Sequence, residues 1–244
     1  MNKKSGEGSF GIKQLDNISL GSVRPGDFGL IQGPTGTGKS SLALHFLFEG
    51  ASKGDNVCMI TSDSVVRLKD KVSSFSRYDP KWLNEGYLFL FGIQDMMSLI
   101  GIDFYDPDRG DLTLFNKLLI ETIESMDIKR LVIDPLGPVM DWAMRFEGES
   151  FITQIKRESQ KRSVMAMMVL DCQYGTGCEE RKPPEFHDFD IIIELNREYE
   201  KTLSLNTLRI KRWSSALHSK STYVLDISED GVIIVPRIKP MEVR

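Results

Sequence analysis

Short apolar runs alternate along this chain with stretches whose apolar residues recur every three or four positions. The apolar runs predict buried strands, at 28–32, 56–61, 87–91, 130–134 and 164–170. The helical spacing predicts helices, at 41–50, 64–75, 149–162 and after Asp111, which we interpret as an N-cap. The segment 92–110 ends in Asp, Pro and Gly residues and predicts a connection. Strands alternating with helices indicate a mainly parallel sheet covered on both faces.

The last third of the chain predicts further strands. Two β-rich runs lie at 189–195 and 203–213. Two more, at 223–227 and 231–235, flank Glu229-Asp230-Gly231 and predict a hairpin. We therefore expect an α/β fold, in which a mainly parallel sheet is flanked by helices and the C-terminal strands are antiparallel at one edge.

Length and hydropathy predict how the chain is organised. Residues 1–10 are polar and rich in Gly and Ser, which predicts a flexible tail, and 11–244 shows no linker or repeat, which predicts a single domain. The longest apolar run, 164–170, is too short to cross a bilayer, so we expect no membrane insertion. The first eleven residues contain no apolar segment of the kind a secretory signal needs, and we expect a cytoplasmic protein.

Charge and cysteine content narrow the classes of partner. The chain carries 31 Lys and Arg against 35 Asp and Glu, and this net charge of −4 gives no general attraction to nucleic acid. A local basic patch is still compatible with it. Cys58, Cys172 and Cys178 are too few for a disulfide framework, and we expect free thiols, with a metal or redox role as the alternative for the last two.

One glycine-rich stretch carries specific chemistry. It reads Gly33-Pro34-Thr35-Gly36-Thr37-Gly38-Lys39-Ser40 and fits the phosphate-binding P-loop pattern. Its glycines let backbone N–H groups approach phosphate oxygens, and Lys39 reaches the β- and γ-phosphates. The apolar run before the motif and the helical spacing from Ser41 onward supply the strand–loop–helix order that the motif requires. We expect this stretch and Ser41 to bind the nucleotide, and the Ser40 hydroxyl to ligate Mg²⁺.

A second acidic position fits the same site. The apolar strand 130–134 ends in Asp134, as a Walker B strand does. Parallel strands end on the side where the P-loop opens, which predicts that Asp134 lies near Ser40 and holds Mg²⁺. An ordinary strand-ending Asp is the alternative interpretation.

Hydrolysis also needs a group that orients or deprotonates water. We expect strand 56–61 to lie beside the P-loop strand, and Asp63 follows it as a candidate base. A helix cap is the alternative role for Asp63. Gln173, just after the run 164–170, is a candidate sensor of the γ-phosphate or a surface amide.

Basic residues gather late in the chain. Strand alternation places Arg209 and Lys211 on one face and Arg212 on the other, and His218 and Lys220 follow. Cations of this kind stabilise phosphoryl transfer as a finger supplied within one chain or by its neighbour. A solvated edge strand protected by its charges is the alternative.

The ordered set of motifs resembles the RecA-like ATPases of the KaiC family, from about Ile12 to Val235. The resemblance is carried by a lead-in, the P-loop, and three later segments: Leu20-Gly21-Ser22-Val23-Arg24-Pro25-Gly26, Phe46-Leu47-Phe48-Glu49-Gly50, Arg130–Pro135 and His218-x-Lys220. It implies a RecA-like P-loop core that binds ATP and Mg²⁺. It also implies a homo-oligomeric ring, a hexamer, with ATP between protomers. The P-loop of one subunit then meets Lys211 or Arg212 as the finger, with His218 and Lys220, of the next.

Departures from the family pattern leave several functions open. Asp63-Ser64 stands where the family has a Glu-Glu pair, which predicts slow hydrolysis. A single P-loop indicates a single-domain member, so the phosphorylation sites of the clock protein do not transfer. The leading hypothesis is a slow Mg²⁺-dependent ATPase that acts in signalling or regulation. The alternatives are an ATP-gated module that docks a protein partner, as in archaeal motility, and a recombinase-like protein that handles DNA through Arg181 and Lys182.

Overall fold

The fold is built around one nine-stranded sheet. The computed structural model describes residues 8–19, 23–103, 111–143, 150–172, 186–200 and 203–237. Within these residues the strands are β1 Phe28–Pro34, β2 Asn56–Thr61, β3 Leu88–Gly92, β4 Ile128–Ile133, β5 Met165–Cys172, β6 Ile191–Glu200, β7 Leu203–Trp213, β8 Thr222–Ser228 and β9 Gly231–Pro236. Their order across the sheet is β3-β2-β4-β5-β1-β6-β7-β8-β9.

The sheet changes direction once. The first six strands in that order pair in parallel, whereas β6, β7, β8 and β9 pair with one another in antiparallel fashion. The described connections agree with this arrangement, because helices follow each of β1, β2, β3 and β4, whereas a two-residue turn joins β8 to β9. The predicted α/β fold with late antiparallel strands is therefore confirmed.

Helices cover both faces of the sheet. They are α1 Lys13–Ile18, α2 Lys39–Ala51, α3 Val65–Ser73, α4 Lys81–Asn84, α5 Ile93–Ser98, α6 Leu112–Ser125, α7 Gly137–Ala143 and α8 Phe151–Lys161, and Phe186–Asp188 forms a 3₁₀ turn. Asp111 caps α6 as predicted, since its carboxylate accepts from the backbone N–H of Thr113 and Leu114. Two apolar cores result, one beneath α1, α2 and α3 and the other beneath α5, α6, α7 and α8.

A buried arginine joins α2 to the sheet. Arg130 on β4 is 1% exposed, and its Nη1 donates to the carbonyls of Ser9 and Phe46, each at 2.9 Å. Its guanidinium lies 4.8 Å from the centroid of the Phe46 ring, and its Nε is 3.6 Å from the Asp55 carboxylate. The charge is therefore paired and hydrogen-bonded, as a buried charge requires.

The structure corrects several predictions about order and extent. Strand β2 is not beside the P-loop strand, because β4 and β5 lie between β2 and β1. The predicted connection at 92–110 contains α5, and α1, α4 and α7 were not predicted at all. These four helices have four to seven residues each, too few to show a helical period in the sequence.

The predicted tail is partly packed against the rest of the chain. Phe10 is fully buried and Gly8 pairs with Val23, so packing extends into the predicted tail; residues 1–7 lie outside the described part.

Cys58 is a buried free thiol as expected, whereas Cys172 is disulfide-bonded, so the expectation of a free thiol is wrong there. None of the described helices has the length and apolarity needed to cross a membrane.

Candidate functional site

A cavity of about 420 Å³ opens at the carboxyl ends of the parallel strands. This is the edge at which open α/β sheets bind ligands. Its lining comes from the P-loop, from the ends of β2, β4 and β5, from α3, and from β8. The lining residues are Thr35, Gly36, Gly38, Lys39, Ser40, Ser41, Asp63, Lys71, Asp134, Pro135, Asp171 and Ile227.

The P-loop forms the turn between β1 and α2. Gly38 is the N-cap of α2 and has a φ of 99°, a left-handed conformation that favours glycine. A Cβ at this position would lie 2.2 Å from the Cδ1 of Ile227, so β8 packs directly against the loop. The Thr37 hydroxyl donates to the carbonyl of Pro34 at 2.8 Å and braces the turn from inside. The positive end of α2 consequently faces the cavity, which suits an anion.

Lys39 is held in place within the loop. Its side chain is 5% exposed, and its ammonium donates to the Pro34 carbonyl at 2.7 Å and pairs with Asp171 at 2.7 Å. Asp171 lies near the end of β5, the strand that flanks β1, and is 46% exposed. It also accepts a hydrogen bond from the hydroxyl of Thr35, at 3.4 Å. The lysine that would meet a phosphate is thus already ordered at the cavity.

Ser40 and Asp134 are brought together as predicted. The Asp134 carboxyl group is 7% exposed and hydrogen-bonds the hydroxyl of Ser40. Burial raises the pKa of Asp134, and the hydrogen bond from Ser40 and the charges of Lys71 and Lys39 partly offset that rise. A bound cation beside this carboxylate, in addition to the two lysines, would further offset the cost of burying it.

These two side chains fit Mg²⁺. A hydroxyl and a carboxylate supply the hard oxygen ligands that the ion prefers. Among the described residues, no group of three or more His, Cys, Asp or Glu side chains could hold a metal by itself. Two protein groups are enough for Mg²⁺, because this ion is commonly held by one or two protein groups together with substrate phosphates.

Asp63 reaches the cavity although its strand is not where we expected it. It follows β2, which is separated from β1 by two strands, but it still lines the cavity. Its backbone N–H donates to the hydroxyl of Thr61 at 3.0 Å. The N-cap of α3 is Ser64, so Asp63 does not cap that helix. Gln173, the candidate γ-phosphate sensor, lies outside the described residues.

Three residues of the site were missed by sequence reasoning. Asp171 ends an apolar run as Asp134 does, and the same pattern could have identified it. Lys71 enters the cavity from α3, where burial lowers the pKa of its ammonium and the charges of Asp134 and Asp63 offset part of that shift. Arg197 on β6 donates to the carbonyl of Gly36 at 2.6 Å and to Asn206 at 3.1 Å. No sequence pattern indicated Lys71 or Arg197.

The late basic residues do not line this cavity. Arg209 and Lys211 share the exposed face of β7, as alternation predicts, and Lys211 pairs with Glu194 at 3.2 Å. Arg212 donates to the hydroxyl of Ser214 at 2.9 Å. His218 contacts the carbonyl of Ser219, and Lys220 is exposed.

The direction of β7 explains the separation. Strand β7 runs antiparallel to β6, and Arg212 pairs with Ile192, which is level with Leu30 on β1. Leu30 precedes Pro34 by four positions. The backbone of Arg212 therefore lies about 13 Å from the level of Pro34, measured along the strands and away from the loop. Arg181 and Lys182, considered for DNA binding, lie outside the described residues.

Comparisons with known proteins identify the family of this chain. A family model described as "ATPase: KaiC" matches residues 8–239. A UPF0273 protein of Pyrococcus furiosus is 25% identical over 93% of this chain and 92% of its own length. The circadian clock oscillator protein KaiC of Nostoc is 25% identical over 92% of this chain, which spans only 43% of that longer protein.

Solved structures agree on the fold. The crystal structure of a KaiC-like protein from Pyrococcus horikoshii OT3 superposes with a TM-score of 0.74 at 18% identity, covering 94% of this chain and 99% of the other. That likeness shows that the two chains share the same α/β fold. The family match extends over nearly the whole sequence and includes the P-loop and the Asp134 strand. The chain therefore belongs to the KaiC family of nucleotide-binding ATPases.

Proposed function

We propose that this protein binds ATP with Mg²⁺ in the cavity, hydrolyses it slowly, and works as a ring of identical subunits. One observation carries the proposal: Lys39, the Ser40–Asp134 pair and the amino end of α2 converge on a single cavity. Each suits one part of a metal–triphosphate complex. The backbone N–H groups from Gly36 to Ser41 would hold the phosphates, and Lys39 would meet the β- and γ-phosphates.

The metal has defined partners in this proposal. When bound, Mg²⁺ would neutralise charge on the phosphate oxygens. The Ser40 hydroxyl and the Asp134 carboxylate would hold it. Once Lys39 turns to the phosphates, Asp171 would lose its ion-pair partner. Water would then solvate its carboxylate, which is 46% exposed.

Slow turnover would follow from Asp63, the residue proposed to orient the attacking water. Asp63 is an exposed carboxylate at the cavity and is followed by Ser64. An Asp side chain is one methylene shorter than a Glu side chain and holds water further from the phosphorus. We expect turnover well below the roughly 10 s⁻¹ typical of enzymes, by about a hundredfold. Asp63→Ala should lower it further.

Ring assembly would complete the site. Neither Lys211 nor Arg212 on β7 lines the cavity of its own chain. A neighbouring subunit is the natural target for their charges, and such fingers act in trans in other phosphoryl-transfer proteins. The same ATP would then stabilise the interface by mass action.

A nucleotide-gated interaction module is the second candidate. The exposed Asp63 beside Ser64 favours it, because a site that binds ATP and barely hydrolyses it stays in one state. In that case the ATP-bound ring would dock a protein partner. The ratio of turnover to affinity separates this candidate from the ATPase.

The central experiment measures ATP affinity, ATP turnover and oligomer size on the same preparation. Lys39→Ala should abolish binding or turnover, because it removes the ammonium that meets the phosphates. Lys69→Ala is the matched control, since Lys69 is exposed on α3 and does not line the cavity. Normal affinity and turnover in folded Lys39→Ala protein would refute the proposal.

A mixing experiment tests action in trans. Inactive Lys39→Ala subunits are combined with inactive subunits that carry both Lys211→Ala and Arg212→Ala. Some interfaces in the mixture pair an intact P-loop with an intact finger, so part of the activity should return. Mixtures that co-assemble without any recovery would indicate a site complete within one chain.

A further inference from the structure

A second lysine, Lys71 on α3, lines the cavity besides Lys39 of the P-loop. Lys71 lies in the last turn of α3 and is half-buried beside the core residue Val72. It lines the same cavity as Gly36, Lys39 and Ser40. Because α3 follows β2, which is separated from β1 by two strands, Lys71 enters from the side of the sheet where Asp134 lies.

The charges that act on Lys71 come from three other elements of the site, the ends of β2 and β4 and the P-loop. The carboxylates of Asp134 and Asp63 attract its ammonium, and the ammonium of Lys39 repels it. Asp134 is the proposed metal ligand, and Asp63 is the proposed water-orienting group. If Mg²⁺ binds Asp134, the attraction between Asp134 and the Lys71 ammonium weakens. The ammonium is then available to the bound nucleotide.

We propose that Lys71 contacts the terminal phosphate of a bound nucleoside triphosphate and makes the site prefer triphosphate over diphosphate. This inference rests on the proposed function and names a specificity determinant within it. The P-loop amides and Lys39 hold the phosphates from the β1 side. A cation that lies between the metal ligand and the water-orienting carboxylate meets the phosphate at which hydrolysis occurs, which only a triphosphate carries.

Two roles for Lys71 make different predictions. If it only balances the charges of Asp134 and Asp63, its removal changes stability and affects all nucleotides alike. If it contacts the terminal phosphate, its removal weakens triphosphate binding selectively. A charge-assisted hydrogen bond of this kind corresponds to about a tenfold change in affinity or more.

The experiment compares the affinities for AMP-PNP and ADP by titration calorimetry in the presence of Mg²⁺. AMP-PNP keeps a terminal phosphate and is not turned over during the titration. Lys71→Met removes the ammonium while keeping an unbranched apolar stem, and Lys71→Arg restores a cation. Lys69→Met is the matched control, because Lys69 is an exposed lysine on the same helix. Lys71→Gln is a second variant should the methionine disturb folding, which circular dichroism checks.

We expect Lys71→Met to weaken AMP-PNP binding about tenfold and ADP binding less than twofold, and Lys71→Arg to restore most of the preference. Lys69→Met should bind both nucleotides as the wild type does. Equal losses for AMP-PNP and ADP in folded Lys71→Met and Lys71→Gln would overturn this inference and leave the proposed function standing. Wild-type protein that binds neither nucleotide would overturn the proposed function as well.

Discussion

Acidification should destabilise the fold through one buried histidine. His45 lies on α2 and is 3% exposed. Its ring lies at steep angles to those of Phe48 and Phe75, with centroids 6.0 and 5.5 Å away. Within the described part of the chain, neither ring nitrogen has a hydrogen-bond partner. On its remaining side Gly231 approaches so closely that a Cβ there would lie 2.6 Å from His45 Cε1.

This environment disfavours the protonated ring. Burial lowers the pKa of His45 from 6.5 to about 4, and the charge of Arg77 adds to the effect. The unfolded chain therefore binds the proton more readily than the folded one. The associated stability is complete above pH 6.5 and is lost as the pH falls from 6.5 towards 4. The full effect is about 3 kcal/mol, of which about 2 kcal/mol is lost by pH 5.

Urea denaturation followed by circular dichroism at pH 7.5, 6 and 5 measures this loss. His45→Leu keeps a similar volume and removes the titrating ring, so its free energy of unfolding should fall by about 2 kcal/mol less than that of the wild type over this range. The exposed His187 supplies the control, and His187→Gln should behave as the wild type does. A wild type that loses no more stability between pH 7.5 and pH 5 than His45→Leu would refute the reasoning.

Three further predictions follow from other contacts. Arg130→Met should lower the free energy of unfolding by about 3 kcal/mol, because the buried carbonyl of Phe46 and the partly buried carbonyl of Ser9 lose their donor; a loss below about 1 kcal/mol in urea denaturation would contradict this. Asp171→Asn should tighten nucleotide binding several-fold in calorimetry, because Lys39 loses its ion-pair partner and the site loses a negative charge; weaker binding would show that Asp171 helps to hold the nucleotide. Removing Mg²⁺ with EDTA should weaken ATP binding more in the wild type than in Asp134→Asn, and equal losses would exclude Asp134 as the ligand.

The sequence predicted best what depends on neighbouring residues. The P-loop was identified because a strand, a glycine-rich turn and a helix follow one another directly between 28 and 51. Strand β2 was predicted with its observed bounds, because its apolar run has polar or charged residues on both sides. The Asp111 cap was likewise a local signal, since its acceptor and donors are three residues apart or less.

Features that depend on the whole sheet were harder to predict. The sequence predicted that β2 lies beside β1. In the structure, β4 and β5 lie between these two strands. Strand order depends on how helices pack across both faces, and no local pattern encodes it. Lys71 and Arg197 reach the loop from α3 and β6, which are distant from it in sequence. A lysine on an amphipathic helix is indistinguishable by spacing from an ordinary solvated one.

The described charges of the cavity link these observations. Two ammonium groups and three carboxylates line it, which leaves one negative charge in excess before any ligand arrives. A polyanionic nucleotide adds to that excess, and burial raises the pKa of Asp134 although the charges of Lys71 and Lys39 act against that rise. A divalent cation beside Asp134 would offset the excess negative charge of the cavity and would also favour the ionised form of this buried carboxyl group. We therefore propose that the protein's own carboxylates make nucleotide binding depend on the metal, and that Lys71, placed among them, directs its positive charge to the terminal phosphate.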